Sequence, residues 1–419
     1  MLFSVLGEQY KVEGSRSSTF FRYGGSDMRV LLVEPDYRSK FPPLGLLKIG
    51  SYHKSRGDEV RLVRGILKEI GHWDRIYIST LFSYHHHKVI QTILHYKETL
   101  GGDVSRLFVG GAYATLFPEV IFKETGVWPV VGLVNAPNML GLGDEDANAD
   151  STIPDYDLLN DLDYDYGLKD CYFGYATRGC VRKCEFCAVW KLEPEFNPYT
   201  GLKKYIEEIK KRYGERQNLV LMDNNILASK EFDRIIGDLI DLHFERNAKL
   251  GTRSRFVDFN QGLDARLVTR AKAKKLATIC LRPVRLAYDK SSESERFERA
   301  VTYLAEEGFT DFSTYILYNH DEEPADFYQR IAHCNELNQR LGIQIYSFPM
   351  RFTPLDQKDR NHVGDHWKRK LIGGLQRVLN VTKGAIAPGK KFFLRAYGKT
   401  PEAFEEICAM PDQYIHNHI

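Results

Sequence analysis

Short β-rich runs alternate with helix-like runs along most of this sequence, and that alternation limits the folds open to it. In the first part the β-rich runs are RVLLVEP (29–35), EVRLV, RIYISTLF, RLFVGG and VWPVVGLV (127–134). Helix-like runs such as PLGLLKIGSYHKSRG and HKVIQTILHYKETL lie between them. Strands separated by helices pair in parallel, because each helix returns the chain to the starting edge of the sheet. We therefore predict an α/β fold that begins with a doubly wound, Rossmann-like parallel sheet.

A second alternation begins near residue 172 and has six steps from strand to helix. Its predicted strands are, in order, YFGYATR, NLVLMDN, RFVDFNQG, TICLRPVRLAY, DFSTYILYN and IQIYSFPMRF. Amphipathic runs such as GLKKYIEEIKKRYG and FDRIIGDLIDLHFERN lie between them. Parallel strands joined by helices either open into a twisted sheet or curl into a barrel, and six steps fit a partial barrel. Beyond it, HWKRKLIGGLQRVLNV and TPEAFEEICAM predict a helical C-terminal region.

An acidic stretch separates the two alternations. Residues 144–165 contain nine Asp and Glu and no Lys or Arg, which is typical of a solvated linker. A cation site is the alternative, although the stretch lacks the ligand spacing of an EF-hand. The predicted organisation is an N-terminal extension (1–27), a Rossmann-like domain (28–135), an acidic linker (136–170), a partial barrel (171–355) and a helical C-terminal region (356–419).

Bulk composition narrows the class of protein. The net charge is +2, so no overall basic field indicates nucleic acid or an anionic membrane, although a local patch can hide inside that balance. No long apolar run predicts a transmembrane helix, and the first residues lack the features of a signal peptide. Seven cysteines in 419 residues are too sparse for a disulfide framework. The composition predicts a cytoplasmic protein with reduced thiols and no membrane partner.

Three of the seven cysteines lie close together in RGCVRKCEFCAVW, at Cys180, Cys184 and Cys187. Thiolates are soft ligands for zinc, copper(I) and iron-sulfur clusters, so this spacing indicates a metal rather than packing. Structural zinc usually takes four protein ligands, and a second pair is missing, because the other cysteines lie in separate elements. Three thiolates suit a cubane cluster with one iron open to an added ligand. Zinc and unligated thiols are the alternatives.

This C-x3-C-x2-C spacing, with Phe186 before the third cysteine and a place just after the first predicted barrel strand, resembles the radical S-adenosylmethionine superfamily. The resemblance covers about residues 170–355. It implies that Cys180, Cys184 and Cys187 hold a [4Fe-4S] cluster whose fourth iron is chelated by S-adenosylmethionine, with the backbone of Phe186 facing the adenine. It also implies an external flavodoxin- or ferredoxin-type electron donor and reductive cleavage to a 5′-deoxyadenosyl radical that abstracts a substrate hydrogen.

The same resemblance implies further cofactor contacts at the ends of the predicted strands. Where related enzymes often have Gly-Gly-Glu, this sequence reads MDNN (222–225), so Asp223 and Asn224 are the candidates beside the methionyl amine. Asp264 is a candidate for the ribose or amine and Arg266 for the carboxylate; a helix cap and a solvated side chain are their alternatives. The remaining candidates are Gln261 and Asn319 for the cofactor, and Arg282, Arg285, Tyr288 and Arg351 for the barrel interior or rim.

The first alternation, with EPDYRSKFPPLGLLKIGSYHKSRGDEV, ISTLFSYHHHKV and LFVGGAYATLFPE, is similar to the cobalamin-binding-type domain that precedes the barrel in one class of these enzymes. Gly110 and Gly111 would allow close backbone approach at the end of the fourth strand, where such folds bind ligands. The Asp-x-His-x-x-Gly signature of base-off cobalamin proteins is absent, so cobalamin is a possible rather than a required cofactor. Residues 85–87 are a His triplet at a helix start, where consecutive side chains do not easily converge on one ion; a place facing a corrin or the substrate is the other use.

These features predict a radical S-adenosylmethionine enzyme. Bound cobalamin would imply methyl transfer, and its absence a rearrangement, oxidation or cyclisation. The alternative from another class is a non-catalytic iron-sulfur or zinc binding module. A small molecule or peptide is favoured as substrate over nucleic acid, because the charge is near zero and no RNA-binding appendage is recognisable.

Overall fold

The computed structural model describes residues 28–68, 71–142, 148–168, 170–386, 389–411, 413, 415 and 419. Over these ranges the chain is α/β, with helices between parallel strands, which confirms the predicted class. The N-terminal extension predicted for 1–27 lies outside the described residues. In the described ranges, none of the helices has the length and apolar character needed to cross a membrane.

The first sheet contains four parallel strands in the order β2-β1-β3-β4. They are β1 (Arg29–Glu34), β2 (Glu59–Arg64), β3 (Arg75–Thr80) and β4 (Leu107–Gly111). The accompanying helices are α1 (Leu44–Ser55), α2 (His86–Thr99), α3 (Ala112–Leu116) and α4 (Pro118–Thr125). Side chains alternate along β1, so that Leu32 packs with α1 on one face and Leu31 with α2 on the other. Burial on both faces explains the unbroken apolar run in β1.

The strand predicted at 127–134 is absent, and that prediction is wrong. The segment makes one ladder-like bond to the sheet, from the Val130 amide to the Val109 carbonyl at 2.7 Å. Pro129 has no N–H to donate, and Gly132 adopts a φ of 86° that takes the chain out of the extended region. An apolar β-rich composition is therefore present without the backbone that a strand needs.

The second unit contains six parallel strands, each a neighbour of the next in sequence. They are β5 (Cys171–Gly174), β6 (Asn218–Leu221), β9 (Val257–Phe259), β10 (Val284–Ala287), β11 (Asp311–Tyr318) and β12 (Gln344–Arg351). A short antiparallel hairpin of β7 (Lys249–Leu250) and β8 (Arg253–Ser254) lies between β6 and β9. The sheets β5-β6-β9 and β10-β11-β12 are each fully parallel. Isolated parallel bridges join them, from Val257 to Leu281 and from Leu263 to Leu286.

Helices connect these strands, and three further helices follow the last strand. They are α5 (Val189–Leu192), α6 (Leu202–Tyr213), α7 (Phe232–Asp241), α8 (Arg270–Leu276), α9 (Ser294–Glu306) and α10 (Pro324–Leu341), followed by α11 (Arg369–Thr382), α12 (Lys390–Tyr397) and α13 (Pro401–Ala409). Helix α6 buries Leu202, Ile206 and Ile209 at spacings of four and three, which gives it one apolar face against the core. The structure confirms the two predicted C-terminal helices and adds α12 between them.

The acidic segment between the two units is packed, so the prediction of a solvated linker is wrong for its described residues. Leu158 joins the core beside α1, whereas Ile153 and Tyr156 join the core of the second unit. Asp155 is buried and pairs with Lys54 of α1 at 2.7 Å. The many carboxylates suggested a solvated segment, but the apolar residues between them pack against the two cores. A buried carboxylate such as Asp155 is stabilised by a cationic partner.

Candidate functional site

The three clustered cysteines lie on a closed loop at the carboxyl end of β5. The backbones of Arg178 and Asn197 exchange both hydrogen bonds, at 3.0 and 2.9 Å, and so close the loop. The amide of Gly179 donates to the Glu193 carboxylate at 2.7 Å. Gly179 has a φ of 70°, and a Cβ there would lie 2.2 Å from the carbonyl oxygen of Glu195. Glycine at this position therefore lets the two sides of the loop approach just before the first cysteine.

Asp223, directly beyond β6, anchors the start of this loop. Its Oδ1 accepts from the Ala176 amide at 3.0 Å and the Thr177 hydroxyl at 2.6 Å, and the Thr177 amide also donates to it. Burial raises the pKa of Asp223 to about 6, against the opposing effect of these hydrogen bonds. The carboxylate that the sequence placed beside the methionyl amine is thus already engaged in positioning the loop. Its neighbour Asn224 donates to Glu193 at 3.3 Å.

The three thiols lie within electrostatic reach of one another. Burial raises the pKa of the Cys184 and Cys187 thiols, and the Cys180 thiol adds to the rise in both. Cys180 Sγ has two donors nearby, the Arg182 amide at 3.4 Å and Asn225 Nδ2 at 3.5 Å. A thiol must lose its proton before it binds a metal, and burial opposes that loss. Hydrogen-bond donors to the sulfur stabilise the thiolate that forms.

The donor set consists of soft thiols, which zinc and iron-sulfur clusters both use. Zinc lies about 2.3 Å from each thiolate, so its sulfurs are close together. Among the described residues, no group of three or more His, Cys, Asp or Glu side chains is placed to hold a single metal ion. A four-iron cluster is larger than one ion and takes its thiolates at wider spacing. The lack of a single-ion site among the described residues is therefore compatible with a cluster. Three soft thiols outside any disulfide, with N–H donors to one sulfur, suit such a cluster.

A charged network borders the thiols. Asp264 accepts from Arg182 Nε at 2.5 Å and Arg266 Nε at 2.6 Å, and Arg266 also donates to Glu293 at 2.9 Å. Burial favours the neutral form of Asp264, but the two arginines outweigh it and hold the pKa below its usual range. Asp264 also accepts from the Arg266 amide, as a cap would. The structure thus brings Asp264 and Arg266 together beside the thiols and excludes a solvated Arg266.

Asp289 follows β10 and was not among the residues that the sequence indicated. Burial, followed by the charge of Glu293, raises the pKa of Asp289 to about 7. Its charge in turn acts on the pKa of Cys184 and Cys187, so it lies near the cysteine loop. A carboxyl that gains and loses a proton near neutral pH beside a candidate centre is a common feature of active sites.

Phe186 and Gln261 lie in different surroundings. The ring of Phe186 meets the imidazole of His320 edge to face, with centroids 5.9 Å apart, and His320 meets Phe352 at 4.3 Å. These contacts link the cysteine loop to the end of β12. Gln261 is exposed and its amide lies 3.4 Å from Asn260 Oδ1.

Asn319, at the end of β11, positions a loop. Its Nδ2 donates to the carbonyls of Phe352 and His362, both at 3.2 Å, and its Oδ1 accepts from the Gly364 amide at 2.9 Å. The side chain is fully buried and adopts a φ of 65°, a left-handed conformation that Asn tolerates. This amide, which the sequence assigned to the cofactor, holds the segment after β12 against the sheet.

The residues proposed for the barrel interior or rim separate into different places. Arg285 forms a two-point pair with Asp258, at 2.7 and 2.8 Å, across neighbouring strands. Arg282 precedes β10 at its amino end, is exposed and pairs with Asp311 at 3.0 Å, so it lies outside the barrel interior. Tyr288 is buried among helix residues and stacks on Phe297 with centroids 4.3 Å apart. Arg351 ends β12.

A cavity of about 170 Å³ lies at the carboxyl ends of β3 and β4, between the sheet and α1. Gly110 and Gly111 line it, as predicted for the end of the fourth strand. Gly111 is required by the sheet, because a Cβ there would lie 2.2 Å from the Thr80 carbonyl oxygen. At one end, Lys48 pairs with Asp150 at 3.1 Å. The remaining wall is formed by Gly45, Leu46, Ile49, Tyr77, Ile78, Ser79, Phe108, Val109, Val130, Gly132, Leu133, Val134, Leu140 and Ala149.

The His triplet lies at the start of α2, where the sequence placed it. His86 Nδ1 lies 2.6 Å from the Tyr113 hydroxyl and its Nε2 lies 3.0 Å from Glu124. The His85 ring stacks on Tyr37, with centroids 5.2 Å apart. The two side chains have different protein partners.

Two residues at this site lie inside motifs visible in the sequence but were not among the predicted site residues. Asn225 is the last residue of the MDNN run, and Arg182 lies inside the cysteine motif. Asp289 lies in no motif that would have predicted it from the sequence.

No protein-family model and no curated protein matches this chain.

Proposed function

We propose that this chain is a radical S-adenosylmethionine enzyme in which Cys180, Cys184 and Cys187 hold a [4Fe-4S] cluster. When bound, the cluster and S-adenosylmethionine supply a 5′-deoxyadenosyl radical for hydrogen abstraction. One observation carries the proposal. A loop closed by Arg178 and Asn197 and anchored by Asp223 carries three half-buried thiols, none in a disulfide, at the carboxyl edge of a parallel sheet.

The strand order supports a partial (β/α)6 barrel. Six parallel strands follow one another in sequence order, and the two three-stranded halves are joined by parallel bridges. Among the described strands, β5 and β12 do not pair, as expected for a barrel that is only partial. Barrels of parallel strands place functional loops at the carboxyl ends of the strands, where the cysteine loop lies.

The chain's own residues supply positioning and charge. Asp223 and Gly179 hold the cysteine loop, and the two arginines keep Asp264 ionised so that its carboxylate can accept from a cationic group such as an ammonium. Arg266 already donates to two carboxylates, so holding a substrate carboxylate would require it to exchange partners. Asp289 can hold or release a proton near neutral pH.

Cobalamin does not enter the proposal. Ligand sites usually measure about 300–1,000 Å³, and the cavity beside β4, at about 170 Å³, is smaller than this range. Its described lining contains no histidine to act as an axial ligand. We therefore assign no step to cobalamin.

The test is anaerobic reconstitution with iron and sulfide, followed by reduction in the presence of S-adenosylmethionine. We expect one [4Fe-4S] cluster per chain by iron analysis and EPR, and release of 5′-deoxyadenosine. Cys180→Ala, Cys184→Ala and Cys187→Ala should each abolish cleavage. Cys280→Ala is the matched control, because this half-buried free thiol lies in a different element. Bound zinc without iron, or a stable cluster without cleavage, would instead support a non-catalytic binding module.

A further inference from the structure

Three arginines gather where the chain leaves β12. Arg351 donates through one terminal nitrogen to the carbonyls of Arg360 at 2.7 Å and His362 at 3.1 Å. Arg369, at the start of α11, donates to the Asn361 carbonyl at 3.1 Å. The guanidinium groups of Arg351 and Arg369 therefore lie against one short turn, residues 360–362, and Arg360 belongs to that turn. Burial lowers the pKa of Arg351, and the charges of Arg360 and Arg369 lower it further.

No carboxylate neutralises this arginine cluster within the part of the chain that the structure describes. None of the three arginines forms an ion pair there, and the buried Nε of Arg351 has no hydrogen-bond acceptor. The acidic neighbour Asp359 accepts from the Asn361 amide at 2.8 Å, and Arg369 acts on it only at longer range. Like charges held this close repel, so a bound anion would remove an existing cost.

The arginine cluster is held in place rather than free. The guanidinium of Arg360 lies 4.5 Å from the ring centroid of Tyr84, in the connection that follows β3. Tyr84 in turn stacks on Phe82 with centroids 4.8 Å apart. A positioned guanidinium loses less freedom when a ligand binds, which raises affinity for a group of the right shape.

The arginine cluster lies at the same edge of the sheet as the cysteine loop. Phe352 follows Arg351, and the ring contacts from Phe352 through His320 to Phe186 reach the residue before Cys187. The surrounding sequence is also strongly basic: residues 351–399 contain twelve Lys and Arg and three Asp and Glu, although the whole chain carries only +2. The arginine cluster thus belongs to a locally basic part of the sequence, which favours an anionic ligand.

We propose that Arg351, Arg360 and Arg369 bind a phosphate ester of the substrate at this edge of the sheet. Guanidinium groups match phosphate oxygens with paired hydrogen bonds, and Arg351 and Arg369 at the turn, with Arg360 from the turn itself, offer such donors to one phosphate. The phosphate belongs either to a small phosphorylated molecule or to a nucleic acid strand. This inference rests on the proposed function, which places the substrate here.

Calorimetry on the full chain tests the proposal by measuring the binding of ribose 5-phosphate. Ribose is the matched compound that lacks the phosphate. A labelled single-stranded RNA, followed by fluorescence anisotropy, tests the polymer source. We expect ribose 5-phosphate or RNA to bind, and Arg360→Ala and Arg369→Ala each to weaken that binding about tenfold or more, because each removes a charge-assisted contact. Both side chains are exposed, so the variants should fold.

Arg299→Ala is the control, because it removes one exposed arginine from the outer helix α9. Its binding should equal that of the parent. RNA that binds far more tightly than ribose 5-phosphate, and loses affinity in the two cluster variants, would identify the polymer as the source. Failure of both probes to bind, or equal binding by all variants, would overturn the proposal. The measurement needs no iron, so its failure is separate from a failure to assemble the cluster or cleave S-adenosylmethionine.

Discussion

The side-chain amide of Asn225 lies 3.5 Å from the sulfur of Cys180. The same nitrogen lies 3.4 Å from Asp264 Oδ2, and an amide nitrogen has two hydrogens to give. The other end of the amide, Oδ1, is buried without a hydrogen-bond partner among the described residues. Asn225 thus connects the candidate cluster ligand to the charged network.

Asn225→Ala should lower the reduction potential of the reconstituted cluster. A hydrogen bond to a ligand sulfur stabilises the more negative, reduced state, so its loss favours the oxidised state. A net bond of about 0.5–1.5 kcal/mol corresponds to a shift of about 20–60 mV for one electron. An EPR-monitored redox titration measures it. Asn224→Ala is the neighbouring control, since Asn224 donates to Glu193, and an equal potential in all three proteins would contradict the prediction.

Asp223 should make the protein less stable as the pH rises from about 4 to about 6. Its pKa is raised by burial to about 6, so the stability it contributes is fully present below the unfolded pKa of about 3.9 and is lost as the pH rises through the folded value. Urea unfolding across this range measures the slope. Asp223→Asn should flatten it, because the Asn oxygen can accept the bonds made to Oδ1 without titrating. An unchanged slope in that variant would assign the pH dependence elsewhere.

The sequence predicted the strands and most helices well, because their signals are local. The runs that became β1 and β11 carry continuous β-favouring residues, and α6 carries apolar residues at helical spacing. The segment 127–134 shows the limit, since composition alone did not weigh the missing N–H of Pro129.

The cysteine loop was predictable from spacing, but its surroundings were not. Asn225 is 45 positions from Cys180, and the cluster of Arg351, Arg360 and Arg369 forms only because the turn after β12 folds back. The near-zero net charge of the whole chain also gave no sign of the arginine cluster. Contacts made by tertiary folding leave no periodicity in the sequence, so neither the Asn225 contact nor the arginine cluster could be predicted from it.

Gly111→Ala should destabilise the first unit by at least about 2 kcal/mol, because the φ of 107° disfavours a side chain and a Cβ would lie 2.2 Å from the Thr80 carbonyl oxygen. Gly110→Ala is the adjacent control. Its nearest atom outside the adjacent residues is the Val130 carbonyl oxygen at 3.7 Å, an ordinary contact. Urea unfolding compares the two variants. Equal stability would show that the strands shift to admit the methyl group.

Asp150→Ala should destabilise the protein by about 3 kcal/mol, because it leaves the buried ammonium of Lys48 without its carboxylate. Burial lowers the pKa of Lys48 and the charge of Asp150 opposes this, so the unpaired lysine should also lose its proton more readily. Thermal or urea unfolding measures the loss, with the exposed Asp157→Ala from the same acidic segment as the control.

The double variant Lys48→Met with Asp150→Ala separates charge from packing. Lys48 borders an apolar cavity, so Met can fill the same path without a charge to satisfy, and we expect most of the lost stability to return. Arg178 loses Asp150 in both variants but keeps Glu193 at 3.4 Å, so its contribution cancels in the comparison. If the double variant is as unstable as Asp150→Ala, then Asp150 acts through the cysteine loop rather than through Lys48.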